Sequence, residues 1–316
     1  MTFKVALVGL GNVGYKYDRD YKNVSYLTHY STIKNLKGFK LILALDNNEE
    51  NIKEFKRHSN VNVINIDRIS EVDIKVDIVV IATPAKSHLD TINKVIKLKP
   101  RLIFCEKPLS ISLKETKDIF ETCKANSVIL RVNFFRRFEK SSLEIKKFLK
   151  DIPFFRATVF YSNGLINNGS HFIDLVSYWF GKPKSIHLKK QHRTLKKSYL
   201  DFDMDFELSY DKGDIHFFSW QEEFYSNYSI RIYTDYFRID YDINGYSTSI
   251  SKKINDPDYE GFKRLEKIPK KIKNNLIDGF KPIYLKIYSD IVNSNTNNIQ
   301  KDQVVPEIVD KLIKQI

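Results

Sequence analysis

The stretch "KVALVGLGNVG", Lys4–Gly14, decides how the rest of the chain is read. Its first half is a continuous apolar run, as a strand covered on both faces needs. Its second half sets Gly9, Gly11 and Gly14 in G-x-G-x-x-G spacing directly after that strand. In that context the spacing is a dinucleotide-binding fingerprint. Gly9 allows the tight turn, and Gly11, with Asn12 and Val13 beside it, lets the backbone approach a pyrophosphate. Gly14 allows a helix to pack closely, its N-terminus facing the negative charge.

Four more apolar runs follow, at Leu41–Leu45, Ile78–Ile81, Leu102–Cys105 and Val128–Val132. Helical patterns lie between them. In "SHLDTINKVI" the residues Leu89, Ile92, Val95 and Ile96 share a face; in "SLKETKDIFETC" Leu113, Thr116, Phe120 and Cys123 do so, behind a Ser112–Glu115 capping box. The alternation predicts an α/β Rossmann domain with a doubly wound parallel sheet over residues 1–132.

From residue 133 the pattern changes. A short helix, "SSLEIKKFLK", opens on a second capping pair, Ser141 and Glu144, and period-two strands follow: "FFRATVF", "SIHLKK", "MDFELSY", "DIHFFSW", "SIRIYTD" and "YFRIDYD". These predict an α+β domain with a large open, mostly antiparallel sheet over residues 133–316, one face packed on helices and the other toward solvent, a ligand or another subunit. Helices around "YLKIYSDIV" and "VVPEIVDKLIKQI" close the chain and are expected to pack back toward the first domain.

The net charge of +13 comes from lysines scattered through almost every segment, with no nucleic-acid-binding motif. No nucleic-acid partner is expected. There is no apolar run of about 18 residues for a membrane span and no secretory leader, so a cytoplasmic location is expected, with no membrane partner. Cys105 and Cys123 have neither disulfide-framework nor metal-ligand spacing, and no metal site is predicted.

Asp46 ends the second run. A carboxylate there accepts hydrogen bonds from adenosine ribose hydroxyls and repels a 2′-phosphate, favouring NAD over NADP; the alternative is an N-cap for a helix starting near Asn48. Asp46 lies well beyond the roughly 20 residues usual after the last glycine. The surplus points to an insertion around Tyr15–Leu27, either lining a substrate mouth or forming an ordinary surface loop.

"IATPAKSH" follows the Ile78–Ile81 run and "CEKPLS" follows Leu102–Cys105, both at carboxyl ends of parallel strands, where such sheets bind ligands. Together with "GLGNVG" and the alternating-strand second half, they make the sequence resemble the Gfo/Idh/MocA family of glucose-fructose oxidoreductases and inositol dehydrogenases. The resemblance implies that Lys107, next to the nicotinamide, handles the proton of a substrate hydroxyl. It places Glu106 at the loop or nicotinamide ribose, Thr83 and Pro84 along the cofactor, and His88 in a structural or cofactor-adjacent position. In "VNFFRRFEK" it assigns Arg136 or Arg137 to substrate oxygens or to a domain-bridging ion pair. The family pattern Asp-x-Gly-x-His-x-x-Asp appears as "NNGSHFID", with His171 as partner of Lys107, Asp174 as an anchor, and Asn167 where the first aspartate is usual. Asn167 can bind a sugar hydroxyl but cannot carry a proton at neutral pH.

The resemblance implies an NAD(P)-dependent oxidoreductase acting on a sugar, cyclic polyol or nucleotide-linked sugar, in surface-polysaccharide synthesis among other settings. It further implies a homodimer or homotetramer formed through the second-domain sheet. The alternative is a non-catalytic nucleotide-binding sensor on the same fold.

Overall fold

The five continuous apolar runs supply five strands of a six-stranded parallel sheet. Its strands are β1 (Phe3–Val8), β2 (Phe39–Asp46), β3 (Asn62–Asn65), β4 (Ile78–Ile81), β5 (Leu102–Cys105) and β6 (Ile129–Val132), in the order β3-β2-β1-β4-β5-β6. The computed structural model describes residues 1–196, 199–242, 247–273, 278–293 and 303–316. The chain divides into two units: Met1–Phe135 with Leu276–Gln303, and Arg136–Asn275 with Val304–Ile316.

In the first unit Leu7, Val79 and Ile103 are fully buried, which explains why their strands are apolar without alternation. Burying each such side chain stabilises the fold by about 1.5–3 kcal/mol. Strand β3 lies outside the five runs, because "NVIN" sits at the sheet edge and fully buries only Val63. Helices α1 (His29–Asn35), α2 (Glu49–His58), α3 (His88–Val95) and α4 (Leu113–Ala125) fill the crossovers. α3 buries His88, Thr91, Ile92 and Val95, and α4 buries Thr116, Ile119, Phe120 and Cys123. The Ser112 hydroxyl accepts the Glu115 N–H, which is one half of the expected capping box.

The first crossover departs from expectation. After the glycine turn the chain makes a single π-type turn, Asn12–Lys16, and the α-helix begins only at His29, behind a Thr28–Ser31 capping box. The intervening insertion is built around buried Asp18. Its carboxylate accepts the Thr28 hydroxyl at 2.7 Å, the Ser31 hydroxyl at 2.5 Å, the backbone N–H of Leu27 and Thr28, and the Ser25 hydroxyl. Burial alone raises the Asp18 pKa, but these donors outweigh it and hold the group below its ordinary value. Tyr17, Tyr21 and Val24 are exposed, whereas Tyr15 is in the core against Tyr30 and Phe55.

The second unit contains α5 (Lys140–Phe148), β7 (Phe155–Ser162), α6 (Ser170–Phe180), β8 (Ser185–Lys196), β9 (Leu200–Tyr210), β10 (Gly213–Trp220), β11 (Ser229–Thr234), β12 (Phe237–Asp242), β13 (Ser247–Asn255), β14 (Lys263–Leu265) and β15 (Lys270–Lys273). The sheet order is β14-β13-β12-β11-β7-β10-β9-β8, with β15 on β13. Among the described residues β7 and β10 pair in parallel and the other pairs of this sheet are antiparallel.

Alternation along β7 sorts the two faces. Phe155, Ala157, Val159 and Tyr161 are buried, and Phe155 stacks on Phe180 of α6 at 4.1 Å. Phe160 points the other way and stacks on Phe218 of β10 at 5.3 Å. The expected Ser141–Glu144 cap does not form. Helix α5 starts two residues earlier than that pair requires. Both Ser141 and Ser142 are buried within it, and Ser142 accepts the Trp179 indole N–H. Packing of the first turn overrides its local capping signal.

Of the closing helices, α7 (Lys281–Val292) belongs to the first unit, where Tyr284 packs on Phe39 and Phe104. Helix α8 (Val304–Ile313) belongs to the second and packs on α6.

Candidate active site

The three fingerprint glycines do different work. Gly9 has φ +93, and a Cβ there would lie 2.7 Å from the Ala82 carbonyl, so only glycine fits between β1 and the end of β4. At Gly14 a Cβ would collide with the Gly9 carbonyl oxygen. Gly11 instead faces open space, with no atom within 4 Å of the Cβ position. That opening beside Asn12 and Val13 fits close approach by a pyrophosphate. Nearby, at the end of β4, the buried Thr83 hydroxyl has no hydrogen-bond partner among the described residues. An orphaned donor in the cofactor loop also fits a bound polar group.

Asp46 closes the same region. It is 6% exposed, and its carboxylate accepts the Leu10 N–H at 2.7 Å, the Asn48 N–H at 2.8 Å and the Asn51 amide at 3.1 Å. Asn48, not Asp46, caps α2; the capping alternative for Asp46 is thereby overturned, because the carboxylate is turned onto the glycine loop. His88 follows Thr83 and Pro84 and is fully buried. Its Nδ1 lies 3.0 Å from the Leu109 carbonyl and its Nε2 2.8 Å from the Thr83 carbonyl. Burial pushes its pKa down, and the two carbonyls oppose that only in part. The ring thus braces the loop after β4 against the loop after β5.

At the end of β5 the Glu106 side chain is 12% exposed. One oxygen accepts His29 Nε2 at 2.9 Å and Asn133 Nδ2 at 2.6 Å, and the other accepts the Lys107 backbone N–H at 3.2 Å. His29 is fully buried, and its Nδ1 lies 2.8 Å from the Tyr284 hydroxyl. A neutral ring that donates to Glu106 and accepts from Tyr284 satisfies both contacts. Burial raises the Glu106 pKa, yet His29, Asn133 and Lys107 together bring it below the ordinary glutamate value. The Lys107–Pro108 peptide is cis. His29, Asn133 and Tyr284 were not anticipated from sequence. Asn133 had a signal, since it directly follows a parallel strand's carboxyl end; His29 stands behind the insertion, and Tyr284 arrives from the distant α7.

The second unit holds the other group of expected site residues. Gly164, at φ +92, starts a π-type turn over Leu165–Gly169 that runs into α6. The turn carries Asn167, and the first helical turn carries His171, which is 6% exposed. On the same helix Asp174 is 1% exposed and receives Arg137 in a two-pronged pair, Nε to Oδ2 at 2.7 Å and Nη2 to Oδ1. Arg136 lies 3.6 Å from Glu139, whose pKa burial raises and Arg136 and Tyr241 partly restore. Thus the first unit brings together the glycine loop, Asp46, Thr83, His88, Glu106 and Lys107. The second carries Asn167, His171 and Asp174 on one turn and helix, with Arg137 paired to Asp174 and Arg136 beside Glu139.

The first unit, with a glycine loop after β1 and a Glu-Lys-Pro turn after β5, has the architecture of a dinucleotide-binding Rossmann domain. Residues 3–134 match the family model for the Gfo/Idh/MocA oxidoreductases, described as an oxidoreductase family with an NAD-binding Rossmann fold. The chain is 29% identical over 145 residues to a scyllo-inositol 2-dehydrogenase (NAD(+)) of Bacillus subtilis, covering 46% of this chain and 39% of that protein. It is 26% identical over 145 residues to a myo-inositol 2-dehydrogenase of Thermotoga maritima, covering 46% and 40%. The match therefore spans about two fifths of the length of these curated relatives. In fold, the chain resembles a dehydrogenase of Clostridium difficile with a TM-score of 0.75 at 16% identity, over 100% of both chains. Among the described residues no helix is long and apolar enough to cross a membrane.

Proposed function

We propose that this protein is an NAD(P)-dependent oxidoreductase, with NAD preferred, that interconverts a secondary alcohol and a ketone on a sugar, cyclic polyol or nucleotide-linked sugar. The observation that carries this reading is the placement of Lys107 after a carboxylate anchored on three sides, at the carboxyl end of the strand two places from the glycine loop's own. The inositol dehydrogenases among the relatives support a polyol or sugar.

The bound nicotinamide supplies the hydride acceptor or donor. The residues of the chain supply the rest. The Gly11 opening admits the pyrophosphate backbone-first, and Asp46 disfavours a 2′-phosphate. Lys107 offers an ammonium to the charge that develops on the substrate oxygen, and Lys107 with His171 carries the hydroxyl proton. Asn167 and Arg136 bind substrate oxygens as donors; Asn167 stays neutral, so acid–base work falls to the other two. The Phe160–Phe218 face of the second sheet serves as the pairing surface of a homodimer or homotetramer.

A panel containing myo-inositol, scyllo-inositol and free and nucleotide-linked hexoses, run with NAD⁺ and with NADP⁺, tests the reading through the absorbance of the reduced cofactor. The expected result is turnover of at least one compound, faster with NAD⁺. Saturable cofactor binding with no turnover across the panel would instead favour a sensor. Sedimentation velocity is expected to show a species larger than the monomer, and a monomer at all concentrations would rule out the pairing.

A further inference from the structure

The segment that presents Asn167 and His171 has no cap of its own. Gly164 and Gly169, which precede its two helical parts, offer no side chain, and neither part has an acidic residue in its first turn. The N–H groups at such a start need an acceptor. It comes from β9. Asp201 is fully buried; its Oδ1 accepts the Ile166 N–H at 2.8 Å and its Oδ2 the Asn167 N–H at 3.0 Å. Two residues along the strand, Asp203 accepts the Gly164 N–H at 3.2 Å with Oδ1, while its Oδ2 holds the Arg193 guanidinium at 2.9 and 2.6 Å.

Glycine at 164 is part of the same device. A Cβ there would collide with the Asp201 carboxylate, and φ +92 is a conformation that other residues rarely adopt. A buried carboxylate is costly unless it is hydrogen-bonded. Asp201 has those bonds: besides the N–H of its neighbour Phe202 at 2.8 Å, it accepts two N–H groups of this one turn.

We propose that Asp201 is a positioning residue for the substrate end of the site. It fixes the backbone of Asn167 and, through the same helical start, the ring of His171. It also returns to this turn the negative charge that an aspartate at position 167 would carry. The proposal rests on the reading that Asn167 and His171 meet substrate.

The test uses the full-length protein saturated with NADH, labelled at histidine ring carbons and at backbone and side-chain nitrogens. Substitution His171→Gln assigns the His171 ring signal. In Asp201→Asn, amide hydrogen exchange at Ile166 and Asn167 is expected to rise roughly tenfold, the factor for about one lost bond. The His171 ring signal and the Asn167 side-chain amide signal should move with it, while His29, His88 and NADH affinity stay as in the wild type. Faster exchange at Ile166 and Asn167 with His171 and the Asn167 side chain unmoved would reduce Asp201 to a structural cap and overturn the proposal. Should Asp201→Asn not fold, Gly164→Ala, which keeps the charge but pushes it off the turn, carries the same comparison. None of these signals depends on turnover. An inactive wild type would therefore sink the enzyme reading and leave this result standing.

Discussion

At the end of β5 the Glu106 carboxylate is held mainly by side chains, whereas at the entry to α6 a buried carboxylate holds the main chain. Glu106 draws on His29, Asn133 and, through His29, Tyr284, residues from three separate stretches of chain. Asp201 takes up two amide groups of one turn, beside a glycine that makes room. The first arrangement fixes a side chain beside Lys107 and has several points of failure; the second fixes a backbone and has few.

Substitution separates the two arrangements, and the largest stability effect is expected at the ion pair that ties α6 down. Asp174→Asn leaves the Arg137 guanidinium, 12% exposed, without its counter-charge, and breaking such a pair costs about 3 kcal/mol. Glu106→Gln keeps part of the hydrogen bonding and should cost about 2 kcal/mol, within the range for a bond to a charged group. Urea denaturation with hydrogen exchange checks both: protection should fall around α6 in the first variant and around α1 and β6 in the second. Equal loss in both regions from either change would erase the distinction.

A smaller effect sharpens it by pH. Burial depresses the His88 pKa, so the folded state binds this proton less well than the unfolded one. The stability from neutral His88 is complete above about pH 6.5, the ordinary histidine value, and is lost as pH falls below it, by at most about 1.4 kcal/mol per pH unit. Glu106, whose pKa is also lowered, loses its contribution only below the ordinary carboxylate value of about 4.3. Stability curves of the wild type and His88→Gln should therefore diverge between those two values. Parallel curves there would show that His88 carries no such proton linkage.

Most of the fold was legible because burial writes itself into apolar pattern. The runs in β1, β2, β4, β5 and β6 and the alternation in β7 to β12 each had a physical cause that the structure retains. β3 was missed because it buries only Val63 and so carries no apolar run, and the α5 cap was misread because a tertiary contact, Trp179 on Ser142, outbid a local one. The candidate site was legible where motifs are contiguous: the glycine loop, Glu106–Lys107–Pro108 and Asn167–His171. Its supports are not contiguous. His29 is displaced by the insertion around Asp18, and Tyr284 by more than half the chain. Asp201 and Asp203 did leave a trace, since "DFDMDFE" puts acids at alternate positions of a half-buried strand, where unpaired charge is disfavoured.

The central claim is that Lys107 acts in the chemistry of an NAD-dependent enzyme, without being needed to hold the cofactor. Lys107→Ala, titrated with NADH by fluorescence and assayed on a compound that the wild type turns over, tests it most directly. The account predicts unchanged NADH affinity and a loss of turnover of about 10²–10⁴-fold, the usual contribution of a positioned acid–base group. Turnover at the wild-type rate with intact binding would contradict it.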